Sequence, residues 1–279
     1  LGQRLGKEKL FSYIRNFGFG SKTGIDLNGE ASGILFNLDK VGPVELATTA
    51  FGQGVSVTPI QQITAVSAAI NGGNLYKPYV VKRILEPVTN NVIKENTPTL
   101  VRNVIDSNTS KEVRRALESV VANGTGRNAY IEGHSVGGKT GTAQKVNNGA
   151  YMIGNYIVSF IGFTPVSHPE VVVYVAIDYP KGIVQYGGTV AAPVAKSILT
   201  DCINILNIEK DDVKDKNYNW NEVKYESVPD VVNMTKDEAL KKLSKYKFIT
   251  EGNGNIVIEQ SPSHNDKVRL GEEVRIYLK

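Results

Sequence analysis

The sequence predicts an α+β fold, an antiparallel sheet packed with helices, followed by a second, small α/β domain. Three observations carry that reading. Runs rich in β-branched and aromatic residues at 138–146, 156–163 and 171–178 follow one another, separated by Asn147-Asn148-Gly149 and Ser167-His168-Pro169, as in neighbouring antiparallel strands. Segments of helical period lie before and after these runs. Beyond Leu206 the chain turns strongly polar over 209–221, a linker composition, and a short α/β pattern resumes at Val228.

The bulk numbers agree with two globular domains: 279 residues, 41% hydrophobic and 22% charged. The net charge of +4 arises from 32 basic and 28 acidic residues spread along the chain, with no basic run dense enough to track phosphates, so nucleic acid is not an expected partner. Cys202 is the single cysteine and the histidines His134, His168 and His264 are scattered, so no disulfide framework or metal site is expected, and no cofactor. Cys202, among Ile198, Leu199, Ile203 and Leu206, reads as a small buried hydrophobe. No run reaches the roughly 18 consecutive apolar residues of a membrane span. The first residue is Leu1, with no methionine or leader-like segment, and the chain reads as a piece of something longer.

Taken in order, residues 1–19 place Leu5, Leu10, Phe11, Ile14 and Phe17 at helical spacing and stop at Gly18 and Gly20. The glycines Gly24, Gly29 and Gly33 make 23–37 a run of turns. At Thr58-Pro59-Ile60-Gln61 an N-cap threonine, a proline in the first turn and a glutamine three residues after the cap coincide, so a helix starts there. Its apolar positions Ile60, Ile63, Val66 and Ile70 are assigned to the core, and Asn71-Gly72-Gly73 ends it. A charged amphipathic helix over 110–122 carries Val113, Leu117 and Val120 on one face. After the three strands, a helix over 192–206 turns Val194, Ile198, Cys202 and Ile205 toward the sheet. The small domain reads as a strand at Val231-Val232, a helix over 236–243, and strands over 256–259 and 274–278.

The most informative string is Gly137-Gly138-Lys139-Thr140-Gly141-Thr142-Ala143, a Lys-Thr-Gly triad where a strand begins. In isolation such a tripeptide is as well read as a glycine-rich turn with a solvated lysine. It does not stand alone. Phe51-Gly52-Gln53-Gly54-Val55-Ser56-Val57-Thr58-Pro59, Ser159-Phe160-Ile161-Gly162-Phe163-Thr164-Pro165 and Tyr186-Gly187-Gly188 followed by Ala191-Ala192-Pro193-Val194 accompany it. So do Thr23-Gly24-Ile25-Asp26-Leu27 and Ala122-Asn123-Gly124-Thr125-Gly126. Taken together, and in this order, they resemble the penicillin-binding transpeptidase domain over residues 1–207.

That resemblance implies a serine that attacks the carbonyl of a D-Ala-D-Ala stem peptide, releases D-alanine and passes the acyl group to an amine, with β-lactams acylating the same serine. It also implies the roles of four residues. Lys139 and Thr140 hold the substrate's carboxylate, Gly141 admits the substrate backbone, and the Thr142 N–H completes the oxyanion hole. The family's Ser-x-x-Lys and Ser-x-Asn motifs belong upstream of the triad, and neither occurs before Lys139. The nucleophile serine is therefore expected outside this chain, which alone would be inactive. Ser244-Lys245-Tyr246-Lys247 and Ser263-His264-Asn265 fit the two patterns but lie in the small domain and are read as coincidence.

Val228-Pro229-Asp230-Val231, Gln260-Ser261-Pro262 and Val274-Arg275-Ile276-Tyr277-Leu278 resemble a PASTA module, with Asn265 where the family pattern has glycine. The organisation expected is transpeptidase 1–207, linker 208–227 and PASTA 228–279. One PASTA module after a class B transpeptidase implies a membrane-anchored, extracytoplasmic parent, in spore cortex synthesis or else in vegetative wall synthesis, with a membrane glycosyltransferase as a further partner. Two other readings remain: a module that binds muropeptide non-covalently, and a class A-like β-lactamase or β-lactam sensor sharing the Lys-Thr-Gly strand. With the nucleophile-bearing helix elsewhere, residues 1–207 alone are expected to expose an apolar face and to be unstable or to associate.

Overall fold

The computed structural model describes residues 2–147, 149–182, 184–211, 225–269, 271 and 273–279. The chain divides into two compact units, one of residues 1–116 and 166–174, the other of 117–165 and 175–279.

In the first unit the expected opening helix is two helices, α1 (Gly2–Leu5) and α2 (Lys7–Asn16). Gly6 sits between them at φ 81°, a conformation glycine adopts without a Cβ penalty and one that no helix continues through. The anticipated stop holds, since Gly18 at φ 93° donates to Arg15 O at 2.9 Å and Phe19 to Ile14 O at 3.2 Å. Phe11 is the buried residue of α2.

Residues 23–37 form the irregular run expected, and two carboxylates organise it. Glu30 accepts the Thr23 N–H and hydroxyl, both at 2.6 Å, and the Gly24 N–H at 3.0 Å. Asp26 accepts the N–H groups of Val80 at 2.7 Å and Val81 at 2.9 Å. The Val80 and then the Val81 hydrogen bonds hold Asp26 below its ordinary value of 3.8. Burial pushes Glu30 up, but the Thr23 and Gly24 donors outweigh it and hold the carboxyl below 4.5. A carboxylate depressed in the folded state contributes stability above its unfolded pKa and loses it as pH falls through the folded one. The protection of amides 23–30 and 80–81, that is their exchange relative to the intrinsic rate at each pH, is therefore expected to fall on acidification below about pH 4, and to stay constant from there to neutrality. Protection that stays constant through the acid range, or is lost only on the alkaline side, would remove this account.

Helices α3 (Pro43–Ala50) and α4 (Pro59–Ile70) follow. The capping box of α4 is as anticipated, with Thr58 Oγ1 accepting the Gln61 N–H at 3.2 Å and Gln61 Oε1 accepting the Thr58 N–H at 2.9 Å. Its inward face is shifted from the expected stripe: Gln61, Ala65, Ala68 and Ile70 are buried, while Ile60, Ile63 and Val66 are half-buried. Gln61 lies inside because its amide nitrogen donates to Ser21 O at 2.7 Å and Ser32 O at 2.8 Å. Strand β1 (Asn74–Lys77) pairs antiparallel with β4 (Thr99–Asn103), and β2 (Arg83–Leu85) with β3 (Val92–Glu95). Helix α5 (Ser107–Asn123) starts three residues before its expected first residue.

In the second unit β5 (Gly137–Asn147) and β6 (Ala150–Thr164) form the expected hairpin; the strand order is β5-β6-β7, and of β7 (Val171–Asp178) residues 175–178 belong to this unit. Helix α6 (Gly187–Leu206) packs on β6. It begins five residues before the expected Ala192 and carries Pro193 inside it. Its buried stripe is Ala191, Ala192, Ala195, Leu199 and Ile203, not the anticipated one: Val194, Ile198 and Ile205 are exposed and Cys202 is half-buried. The helix is apolar on nearly every side, so periodicity alone could not orient it. Small residues lie inward because they bring the helix axis close to β6. Among the described residues α6 is also the one helix long and apolar enough to cross a membrane by length and composition, and here its small-residue face is buried on the sheet.

The small domain contains β8 (Tyr225–Ser227), α7 (Lys236–Lys242), β9 (Lys247–Glu251), β10 (Val257–Ser261), β11 (Lys267–Arg269) and β12 (Glu273–Leu278). Strand β12 is central, antiparallel to β10 and parallel to β9, while β8 pairs with β11. Val231-Val232 is a turn rather than a strand. Asp230 Oδ1 takes the Val232 N–H at 3.0 Å, and Asn233 at φ 66° leads the chain into the Thr235 cap of α7. Asn265 also has φ 66°, a conformation asparagine tolerates almost as glycine does. Ser244 and Ser263 are exposed in this domain. Of the stretch read as linker, residues 212–224 lie outside the described ones.

Candidate functional site

Lys139, Thr140, Gly141 and Thr142 lie within β5, paired in register with Ile161, Phe160, Ser159 and Val158 of β6. The glycine-rich turn is thereby excluded: the triad is held in a two-stranded ladder. Strand β5 ends the order β5-β6-β7, so its other edge carries no strand among the described residues. An unpaired edge offers backbone donors and acceptors to an extended peptide.

The side chains along this edge are polar and close together. Lys139 is exposed, and its Nζ donates to Thr140 O at 2.9 Å, with Thr140 Oγ1 at 3.5 Å. Thr140 Oγ1 lies 3.0 Å from Thr125 Oγ1, which the segment after α5 delivers. Thr142 Oγ1 accepts the Gly187 N–H at 3.4 Å, which joins the first residue of α6 to the strand. Asn128 Nδ2 donates to Gly188 O at 2.7 Å and fixes the same turn of helix. One ammonium and the hydroxyls of Thr125 and Thr140 thus converge on a strand edge, with Thr142 two residues further along it, a set of donors suited to an anionic carboxylate and to a developing oxyanion.

The glycines around the triad answer to the protein's own packing. A Cβ on Gly141 would run into Ser159 Oγ, and one on Gly187 would meet Ser159 O and, at 2.6 Å, Gly141 O. Gly187 therefore lets α6 start flush against β5, and Gly141 leaves room for the Ser159 hydroxyl. Thr125, Asn128, Ser159 and Gly187 are site-forming residues that the triad alone did not reveal. The signal was present for Thr125, Ser159 and Gly187, which sit in the flanking strings.

Comparison with known proteins settles the family. The model of the penicillin-binding protein transpeptidase domain matches residues 1–200. The chain belongs to that family. A PASTA domain follows, matched over residues 226–279. Stage V sporulation protein D of Bacillus subtilis is 55% identical over 279 residues, which is 100% of this chain and 43% of that protein. The probable peptidoglycan D,D-transpeptidase PenA of Neisseria meningitidis is 35% identical over 208 residues, 75% of this chain and 34% of the relative. The crystal structure of penicillin-binding protein 3 from Mycobacterium tuberculosis complexed with ampicillin superposes with a TM-score of 0.69 at 28% identity, covering 77% of this chain and 49% of the other. The chain therefore spans less than half the length of the curated relatives it matches. It combines residues of the penicillin-binding transpeptidase family with a PASTA domain.

Proposed function

We propose that the protein to which this chain contributes is a peptidoglycan D,D-transpeptidase of spore cortex synthesis, acting through an acyl-serine intermediate. The observation that carries the reading is the edge of β5, where Lys139 and the hydroxyls of Thr125 and Thr140 converge, two residues before Thr142. In this reading the stem peptide lies along that edge. Lys139 and Thr140 bind its terminal carboxylate, and the Thr142 N–H polarises the scissile carbonyl. Gly141 keeps the strand low beneath the substrate backbone.

The nucleophile serine and its Ser-x-x-Lys lysine come from the portion of the protein outside this chain. The serine oxygen attacks the carbonyl carbon of the penultimate D-alanine and the peptide C–N bond breaks. The terminal D-alanine leaves as the amine, carrying the proton taken from the serine. An amine of a neighbouring stem peptide then displaces the serine oxygen, forms the cross-link and returns the proton. A β-lactam enters the same route and stops at the acyl-enzyme.

The similarity to a stage V sporulation protein supports the sporulation setting. The same proposal places the enzyme at the membrane, membrane-anchored and acting outside the cytoplasm, with a membrane glycosyltransferase as a partner. The domain organisation proposed is 1–207, 208–227 and 228–279.

Labelling with a fluorescent penicillin tests the reading. The full-length protein is expected to form a covalent adduct that survives denaturing electrophoresis, and the 279-residue chain none. No adduct on either would sink the proposal. A stoichiometric adduct on the short chain would instead place the nucleophile within it, with Ser244 the first position to examine. Reversible muropeptide binding without any adduct on the full-length protein would make this a binding module.

A further inference from the structure

The apolar core of the PASTA domain contains a residue that does not belong to it in sequence. Val184, 1% exposed, clusters with Val228, Leu243, Val257, Val274 and Ile276, and Tyr186 packs against the same group. Both precede α6 on the transpeptidase side of the chain. Polar contacts surround this insertion. The hydroxyls of Tyr156 on β6 and Tyr277 on β12 meet at 2.6 Å, with both residues buried. Tyr186 Oη donates to Glu273 Oε1 at 3.3 Å, and Arg275 holds that carboxylate from the other side at 3.1 Å. Gln185 ties the segment to β6, accepting the Tyr156 N–H at 3.0 Å and donating to Gly154 O at 2.8 Å. A buried hydroxyl pair and a residue sunk in another domain's core are features of a fixed interface rather than a passing contact.

We propose that the β10–β12 face of the PASTA domain is a docking surface whose occupant is the transpeptidase's own segment 184–186 and strand β6, so that this domain acts as an intramolecular brace. The brace acts on a specific place. Tyr186 is the N-cap of α6, and its carbonyl takes the N–H groups of Thr189 and Val190, each at 3.0 Å. The next residue, Gly187, donates to Thr142. Strand β12 is thus connected through Tyr186 to the start of α6 on β5. The same occupancy closes this face to any muropeptide. The inference stands on packing and goes beyond the functional reading, which could fail without affecting it.

Hydrogen–deuterium exchange on the 279-residue chain, compared with Tyr186→Phe/Tyr277→Phe, provides the test. Loss of both hydroxyls is expected to speed exchange of amides 185–190 at least tenfold, while amides of α4 keep their wild-type rates. The single variant Tyr277→Phe, which keeps every apolar contact, serves if the double variant does not fold, and is expected to show a smaller acceleration in the same segment. Wild-type rates at 185–190 in a folded variant would overturn the proposal. Titration of the wild-type chain with a soluble disaccharide-pentapeptide is expected to leave the exchange of 154–156 and 274–278 unchanged. Altered exchange at those strands on ligand addition would show the face to be open, and would overturn it as well.

Discussion

Replacing Lys139 by alanine in the full-length protein is expected to slow acylation by a β-lactam about 10²–10³-fold, the usual cost of losing one preorganised donor to a developing anion. The lysine is exposed, and its Nζ reaches the carbonyl and hydroxyl of its own neighbour Thr140. No core contact is lost with it, so the melting temperature should hardly move, as for other exposed positions. A stopped-flow second-order rate for a fluorescent penicillin, taken beside a thermal melt, separates the two effects. Lys139→Arg keeps the charge but spreads it over a planar fork, and should recover part of the rate. Acylation within threefold of wild type in the alanine variant would mean that the charge on the β5 edge is not used, and the assignment of this edge to the substrate carboxylate would fall with it.

What could be read from the residues, and what could not, divides along physical lines. The β5–β6 hairpin was legible because β-branched runs flank Asn-Asn-Gly, and turn chemistry combined with strand patterning is a local signal. The start of α4 was legible for the same reason, since Thr58, Pro59 and Gln61 act on one another within a single turn. The four short strands between Asn74 and Asn103 were not. In three of them every residue is exposed, so no buried face imposes a period on the sequence. The inward face of α6 was misjudged because large apolar residues were assigned to the core, whereas close approach to the sheet selects Ala191, Ala192 and Ala195. The triad itself was legible through its glycine-rich context. Its partners depend on tertiary contacts: the Thr125–Thr140 pair and the Gly187–Thr142 bond each join positions brought together only by the fold.

The second large effect concerns what keeps that edge in place. Phe160 is fully buried, and it is the cross-strand partner of Thr140. Its ring occupies space that three glycines leave open. A Cβ on Gly126 would come within 3.2 Å of the ring, one on Gly162 within 2.7 Å, and one on Gly138 closer still. These glycines come from three different strings, one before the triad, one opening it and one on the opposite strand. A single aromatic side chain therefore explains why all three positions are small. Phe160→Ala would leave a cavity beside three glycines that have no side chain to fill it, and the expected loss is about 3–5 kcal/mol of stability in denaturant unfolding. Phe160→Leu retains most of the volume and should cost well under half of that. A loss below about 1 kcal/mol for the alanine variant would be smaller than an ordinary buried aromatic truncation, and would show that the ring does not support the strand. Since Lys139 and Gly141 flank Thr140 on the same strand, the full loss would place the packing that defines the glycine pattern directly beneath the residues proposed to bind substrate.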